Sequence, residues 1–120
     1  MTPARTPTHA AAVEEALRRL RKTEPDLRAW VLVDADGARA QAERAPAGPL
    51  SGVPFGVKDI IDVAGLPTEC GSPLRRGRIA EADAWLVDRL RAAGAVPLGK
   101  TVTTEFAYFQ PGPTLSLVHI

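Results

Sequence analysis

Among the residues able to do chemistry, Lys58 has the most unusual setting. It lies between Val57 and Asp59 in the run VKDIIDV (57–63), which is otherwise mostly apolar and β-branched. Two readings of such a lysine are open. On an exposed sheet edge it blunts unwanted strand pairing and stays solvated. Pointing into the protein, it is desolvated, which favours the neutral amine unless a nearby carboxylate opposes this. A neutral amine can take a proton from a hydroxyl and so serve as a general base. Asp59 is the obvious neighbouring carboxylate. Strand alternation, however, turns Lys58 and Asp59 to opposite faces of a sheet, so Asp59 would not neutralise the lysine directly.

The remaining candidates have plainer explanations. Gly94–Thr101 (GAVPLGKT) matches the GxxxxGK[ST] expression of phosphate-binding loops. That chemistry needs a strand before the glycines and a helix opening at the lysine, so that backbone N–H groups converge on phosphate. Here Gly94 closes a predicted helix, Ala95–Leu98 reads as strand, Pro97 lacks an N–H, and the β-branched TVTTEFAYF is a poor helix start. Arg75, Arg76 and Arg78 form a small basic cluster of the kind found on solvated loops, with no aromatic interleaving to suggest nucleic acid. Cys70 is a lone thiol without a matching histidine. His9 and His119 stand at opposite ends with no ligand-spaced partners, so no metal or other cofactor is expected. Ser51, Ser72 and Ser116, the three serines present, do not form a G-x-S-x-G elbow.

The elements that would position Lys58 follow from pattern. Residues 1–8 are rich in Thr and Pro and are expected to be frayed. Thr8 then caps a helix that Pro25 ends. Val13, Ala16, Leu17 and Leu20 share its apolar face, and its acidic-then-basic charge order suits the helix dipole. Ala29–Val33 reads as a short strand, Ala38–Arg44 as a short helix, and 45–56 as a Pro/Gly-rich loop. Val57–Val63 is predicted as strand then turn, and 64–73 as loop. A second strong helix spans Glu81–Ala93, with Ala82, Trp85, Leu86, Leu90 and Ala93 on its buried face and Gly94 just past its end. Helix, turn and strand in this order point to an α/β layer architecture.

Composition excludes several classes. The chain has 120 residues, which suits one domain, with 45% apolar and 24% charged residues and a net charge of +1. Nothing there suggests disorder, collagen, a disulfide scaffold, nucleic-acid binding or an anionic membrane partner. The N-terminus lacks the apolar core of a secretory signal. The longest charge-free stretch, 106–118, is too short and too broken by Pro and Gly to span a bilayer. A single cysteine fits a reducing compartment, and a cytoplasmic location is the expectation.

Two longer blocks carry a resemblance. LSGVPFGVKDIIDVAGLPTEC (50–70) with GSP (71–73), and ADAWLVDRLRAAGAVPLGKTVTTEFAYF (82–109) continued by QPGPT (110–114), resemble the N-terminal part of the amidase signature family. The likeness covers about residues 10–114 and is densest over 50–114. It implies an α/β fold with a mixed sheet flanked by helices. It also implies cleavage of carboxylic amide C–N bonds by a serine nucleophile, a second serine in a cis peptide that relays the proton, and a lysine as final base. Lys58 occupies the position of that lysine. Lys100 and Thr101 match a block with no catalytic role in the family, and Val102 stands where many members carry Asn.

The resemblance stops before the serines. The family continues with an Asn-containing turn and a Gly/Ser-rich loop, whereas this sequence reads LSLVHI at 115–120 and contains no Asn. None of its three serines matches the catalytic positions. The expectation is therefore a single truncated N-terminal segment, residues 1–120, with 115–120 as an off-family tail. A base without its nucleophile forms no acyl-enzyme, and a missing oxyanion-hole donor alone costs about 3–4 kcal/mol of transition-state stabilisation. Such a segment is expected to be inactive alone and to expose unpaired strand edges and apolar surface. Two alternatives are a non-catalytic docking subunit completed by a complementary C-terminal chain, and a piece of the A-type subunit of a tRNA-dependent amidotransferase. The account rests on Lys58 being buried and uncharged.

Overall fold

The computed structural model describes residues 8–108; the expectations for 1–7, for QPGPT and for the tail at 115–120, with Ser116 and His119, lie outside the described residues. In chain order the elements are α1 (His9–Leu27), β1 (Trp30–Val33), α2 (Ala35–Arg44), β2 (Pro54–Lys58), α3 (Trp85–Ala92) and β3 (Val96–Thr101), with short 3-10 turns at Pro73–Arg75 and Glu105–Ala107. The three strands form a mixed sheet in the order β1-β3-β2, with β1 antiparallel and β2 parallel to the central β3. This is the α/β architecture with a mixed sheet and flanking helices that the sequence implies.

α1 begins as expected, with Thr8 Oγ1 accepting from Ala11 N–H at 3.1 Å. It does not stop at Pro25. A proline in the last turn forfeits one backbone hydrogen bond, but the helix still closes when Arg28, at φ 51, donates to the Glu24 carbonyl at 2.9 Å. The Glu24 carboxylate then accepts from Ala29 and Trp30 N–H, at 2.6 and 2.9 Å, and leads the chain into β1. Its first turn, His9 to Ala12, holds no acid, and because the helix runs on to Leu27 its last turn holds no base, so the charge order has no dipole role. α2 starts earlier than predicted because Asp34 caps it, accepting from Gly37 N–H at 3.2 Å.

One core lies between the sheet and the first two helices: Val13 and Leu17 of α1, Ala38 and Ala42 of α2, Val96 and Leu98 of β3. A second joins Val57 of β2 to Val63 and Val87 of α3, with Phe55, Ile61, Leu66 and Ala84 packed against it. β2 begins at Pro54, where a loop was predicted, and ends at Lys58, so Asp59–Ile61 is turn rather than strand. Proline is tolerated at the first residue of a strand on a sheet edge. β3 extends beyond its predicted end to Thr101. Gly99 is required within it, since a Cβ there would lie 2.0 Å from the Leu32 carbonyl oxygen.

The predicted face of the second helix needs correction. α3 starts at Trp85, because Asp62 and Asp83 hold the preceding segment as loop: Ala84 N–H donates to the Asp62 carbonyl and Asp83 accepts from Ala64 N–H. Trp85 is 72% exposed and Leu86 is also exposed, while Val87 is the buried residue at 1%. Trp85 instead lies under the Arg89 guanidinium, 5.3 Å from the ring centroid. Gly94, at φ 99, follows the helix as expected. Val87→Ala is expected to lower stability by about 1.5–2.5 kcal/mol, and Trp85→Ala by under about 1 kcal/mol. Urea unfolding of the two variants checks this, and equal losses would restore the predicted face.

Candidate functional site

The site forms at the C-terminal ends of the parallel strands β2 and β3, the edge of an α/β sheet where ligands usually bind. Lys58 is the last residue of β2 and pairs with Thr101 across the ladder. The chain turns immediately afterwards. The Lys58 carbonyl accepts from Ile60 and Ile61 N–H at 2.8 and 2.9 Å, and Asp59 N–H donates to the Thr101 carbonyl at 2.9 Å. Alternation separates the neighbours as the sequence indicates: Val57 and Asp59 are buried, Lys58 between them exposed.

Lys58 is therefore not the buried amine that the sequence account requires. It lies on the face of Gly56, on the edge strand of the described sheet, and is exposed. It also makes no side-chain hydrogen bond or ion pair among the described residues. The buried lysine is Lys100, with 0% exposure. Its ammonium donates to Asp59 Oδ1 at 2.8 Å, Thr68 Oγ1 at 2.9 Å and the Pro67 carbonyl at 3.0 Å. An ammonium has three donor hydrogens, so each one is matched. Asp59 completes the set by accepting from Glu69 N–H at 3.3 Å, and its carbonyl accepts from Cys70 N–H.

A ladder irregularity explains how Lys100 reaches this cluster. Strict alternation would put it on the same face as Val96 and Leu98. The parallel register steps from Phe55↔Pro97 to Gly56↔Gly99 and leaves Leu98 as the extra residue. Such a bulge turns the following side chains to the other face, and Lys100 meets the 59–68 loop there. The burial expected of Lys58 belongs to Lys100. The signal was present, since AVPLGKT is at least as apolar a setting as VKDIIDV.

The surrounding groups are committed to local structure. Arg78, placed in a solvated cluster by its sequence, pairs bidentately with Asp62 at 2.8 and 3.1 Å. Those Arg78 hydrogen bonds hold the Asp62 carboxyl below its ordinary value; desolvation works against them, and the Thr68 hydroxyl and the Arg78 charge add to them. Cys70, half-buried at φ 55, lines a cavity of about 200 Å³ with Ile60, Asp62, Thr68, Arg75 and Arg78. Ser72 accepts from Leu74 N–H and donates to Glu105 at 2.8 Å, while Ser51 exchanges hydrogen bonds with Gly48. Gly99 and Lys100 lie inside β3, so the GKT segment opens no helix. The described residues include no group of three or more His, Cys, Asp or Glu able to hold a metal, and no helix long and apolar enough to cross a membrane.

The mixed three-strand sheet and its flanking helices match part of the fold of amidases of known structure. The amidase family model matches residues 11–114. The A-type subunit of glutamyl-tRNA(Gln) amidotransferase from Roseiflexus sp. (strain RS-1) is 41% identical over 107 residues, covering 83% of this chain and 22% of that protein. An amidase from Pseudomonas putida is 46% identical over 103 residues, covering 80% and 22%. The peptide amidase of Stenotrophomonas maltophilia superposes with a TM-score of 0.77 at 34% identity, over 91% of this chain and 24% of that one. The chain belongs to the amidase signature family. It spans about a fifth of the length of the curated relatives it matches.

Two outcomes follow from the geometry. Lys100→Met strands the buried Asp59 charge and is expected to cost about 3–5 kcal/mol of stability, whereas Lys58→Met, at an exposed position, should stay within about 0.5 kcal/mol; urea unfolding separates them, and the reverse order would contradict the assignment of the buried lysine. The folded Asp62 carboxyl titrates below its unfolded value, so the stability from its Arg78 pair is present above the ordinary carboxylate range and is lost as pH falls through the lowered value. Both side chains are about a third or more exposed, so the pair is worth about 0–1 kcal/mol. Arg78→Ala should move the Asp62 carboxyl resonance to titrate at higher pH, and an unmoved titration would remove Arg78 as the cause.

Proposed function

We propose that this chain supplies the proton-accepting lysine, Lys58, of an amide hydrolase that works through a serine acyl-enzyme. In this reading the neutral Lys58 amine takes a proton relayed from the nucleophilic serine as its oxygen attacks the amide carbonyl carbon. The C–N bond then breaks, the leaving amine carries the proton away, and water hydrolyses the acyl-enzyme. Ser51 and Ser72 are engaged in local turns, so the nucleophile and its relay come from polypeptide outside residues 8–108. The substrate is a small carboxylic amide, with no nucleic acid, membrane or cofactor involved, in a reducing, cytoplasmic compartment.

One observation carries the reading. Lys58 ends β2 with its amine uncommitted among the described residues, while the adjacent carboxylate of Asp59 lies on the other face. Exposure does not oppose it, because the amine of a general base must be open to the group whose proton it takes. Burial of Lys58 would then come from the polypeptide that brings the serines, either in one chain or as a complementary partner. The 41% identity to the A-type subunit of an amidotransferase favours a second reading in which the amide is that of glutamine. The lysine chemistry is the same in both.

The test is a chimaera in which residues 11–114 replace the matched segment of the Pseudomonas putida amidase, assayed on the amide its parent cleaves. Hydrolysis is expected to persist and to fall by about 10²–10⁴-fold in kcat with Lys58→Ala. The 120-residue chain alone is expected to show no turnover. A chimaera that keeps full activity with Lys58→Ala contradicts the proposal.

A further inference from the structure

The proposed role of Lys58 leaves a physical difficulty. A lysine beside an aspartate in sequence ordinarily gains proton affinity from that carboxylate, which works against a base that must be neutral. The geometry points to Lys100 as the positioning residue that removes this obstacle: its buried ammonium captures the Asp59 carboxylate and cancels its charge, so that Lys58 has no counter-ion. This inference builds on the reading of Lys58 as a base, but it concerns the charge balance around that amine and can be tested without catalysis.

The capture is tight. Lys100 and Asp59 are 0% and 1% exposed, and the ammonium has no unmatched donor. The neighbouring backbone reinforces it, since Glu69 N–H donates to Asp59 Oδ2 and Asp59 N–H to the Thr101 carbonyl. Asp59 therefore cannot swing around the strand to meet Lys58 without leaving Lys100 buried and unpaired. The pair is net neutral, and a neutral pair acts on a distant amine only as a dipole.

The carboxylates on the turn and loops at this end of the sheet have partners of their own. On the turn and loop packed beside β2, Asp62 pairs with Arg78, and Glu69 accepts from Gly77 N–H at 2.6 Å. Glu105, after β3, accepts from Ser72. The Cys70 thiol lies with Arg75 in the small cavity beyond Ile60. From α1, His9 meets Gly52, before the start of β2 and so at the opposite end of the strand from Lys58, while the Glu24 carboxylate, across the sheet beyond Thr101, accepts from Ala29 and Trp30 N–H. From α3, Asp88 and Arg89 are exposed, and Arg91 pairs with Asp83 at 2.9 Å. Asp59 is the carboxylate paired directly with Lys100, whose charge also acts on Asp62 without contact.

The sequence makes the experiment tractable, because Lys22, Lys58 and Lys100 are its only lysines. Side-chain 13C NMR of the 120-residue chain at low salt would follow each amine through its titration, with Lys22 on α1 as the internal control. Lys100→Gln keeps a hydrogen-bond donor for Pro67 and Thr68 but frees the Asp59 charge. It is expected to move the Lys58 midpoint upward by roughly 0.3–1 pH unit, the size of an unscreened unit charge about 10 Å away. Adding Asp59→Asn to that variant should return the midpoint to its original place. An unmoved midpoint in Lys100→Gln, or a rise that Asp59→Asn leaves in place, overturns the inference.

If Lys100→Gln does not fold, the double variant Lys100→Gln with Asp59→Asn decides. Removing both charges of the pair together is expected to leave the Lys58 midpoint where it stands in the unaltered chain. A moved midpoint overturns the inference. The two claims fail separately. A shift cycle as described beside a chimaera indifferent to Lys58→Ala would leave the charge balance standing and remove the base; the reverse result would keep the base and remove Lys100 from its control.

Discussion

The structure depends on a buried ion pair between the last strand and the turn after the parallel edge strand. Taking an ammonium and a carboxylate out of water is costly, and their attraction offsets that cost only when geometry is good and the remaining donors and acceptors are matched. Lys100 and Asp59 meet both conditions through Thr68, Pro67 and Glu69. The pair also joins segments far apart in sequence. It ties β3 to the turn after β2 and to the loop over 67–69, and Cys70 and Phe106 extend the connection through Cys70 N–H to the Asp59 carbonyl and Phe106 N–H to the Cys70 carbonyl. A partner lost from this network leaves a charge without solvent or counter-ion, so the arrangement tolerates little drift.

This constraint determines what Lys58 can be. The pair fixes Asp59, and Asp59 fixes the residue before it at the end of the strand. Alternation sends one side chain into the pair and the other out to the open face. The two lysines therefore divide two tasks: one is immobilised and neutralised, and the other stays available. In the proposed reaction the base is the second kind of lysine, and the buried pair gives it a fixed origin.

Much of the fold was legible because periodicity is a strong signal where one face is buried. Val13 and Leu17 marked α1, and the short apolar runs marked β1 and β3. The failures have physical causes. Pro25 suggested a helix end, but a proline in the last turn forfeits only one bond, and the carboxylate of Glu24 holds the exit. The apolar spacing of 81–93 points Trp85 and Leu86 inward, but Asp62 and Asp83 delay the helix start and Val87 is the residue it buries. At the site, alternation separated Lys58 from Asp59 correctly. The apolar setting of AVPLGKT points to a buried Lys100, but the face it takes depends on a bulge at Leu98, a feature of strand pairing that lies outside the local pattern. The family block around VKD was readable, whereas exposure of Lys58 depends on what covers the sheet.

Amide hydrogen exchange on the 120-residue chain tests the central claim most directly. If the buried pair holds the turn that carries Lys58, the Asp59 and Cys70 amides should exchange only with global unfolding, at the same free energy as Val96 in the core of the sheet. Exchange of Asp59 and Cys70 through a local opening, orders of magnitude faster than Val96, would show that the pair does not lock the turn and would contradict the account.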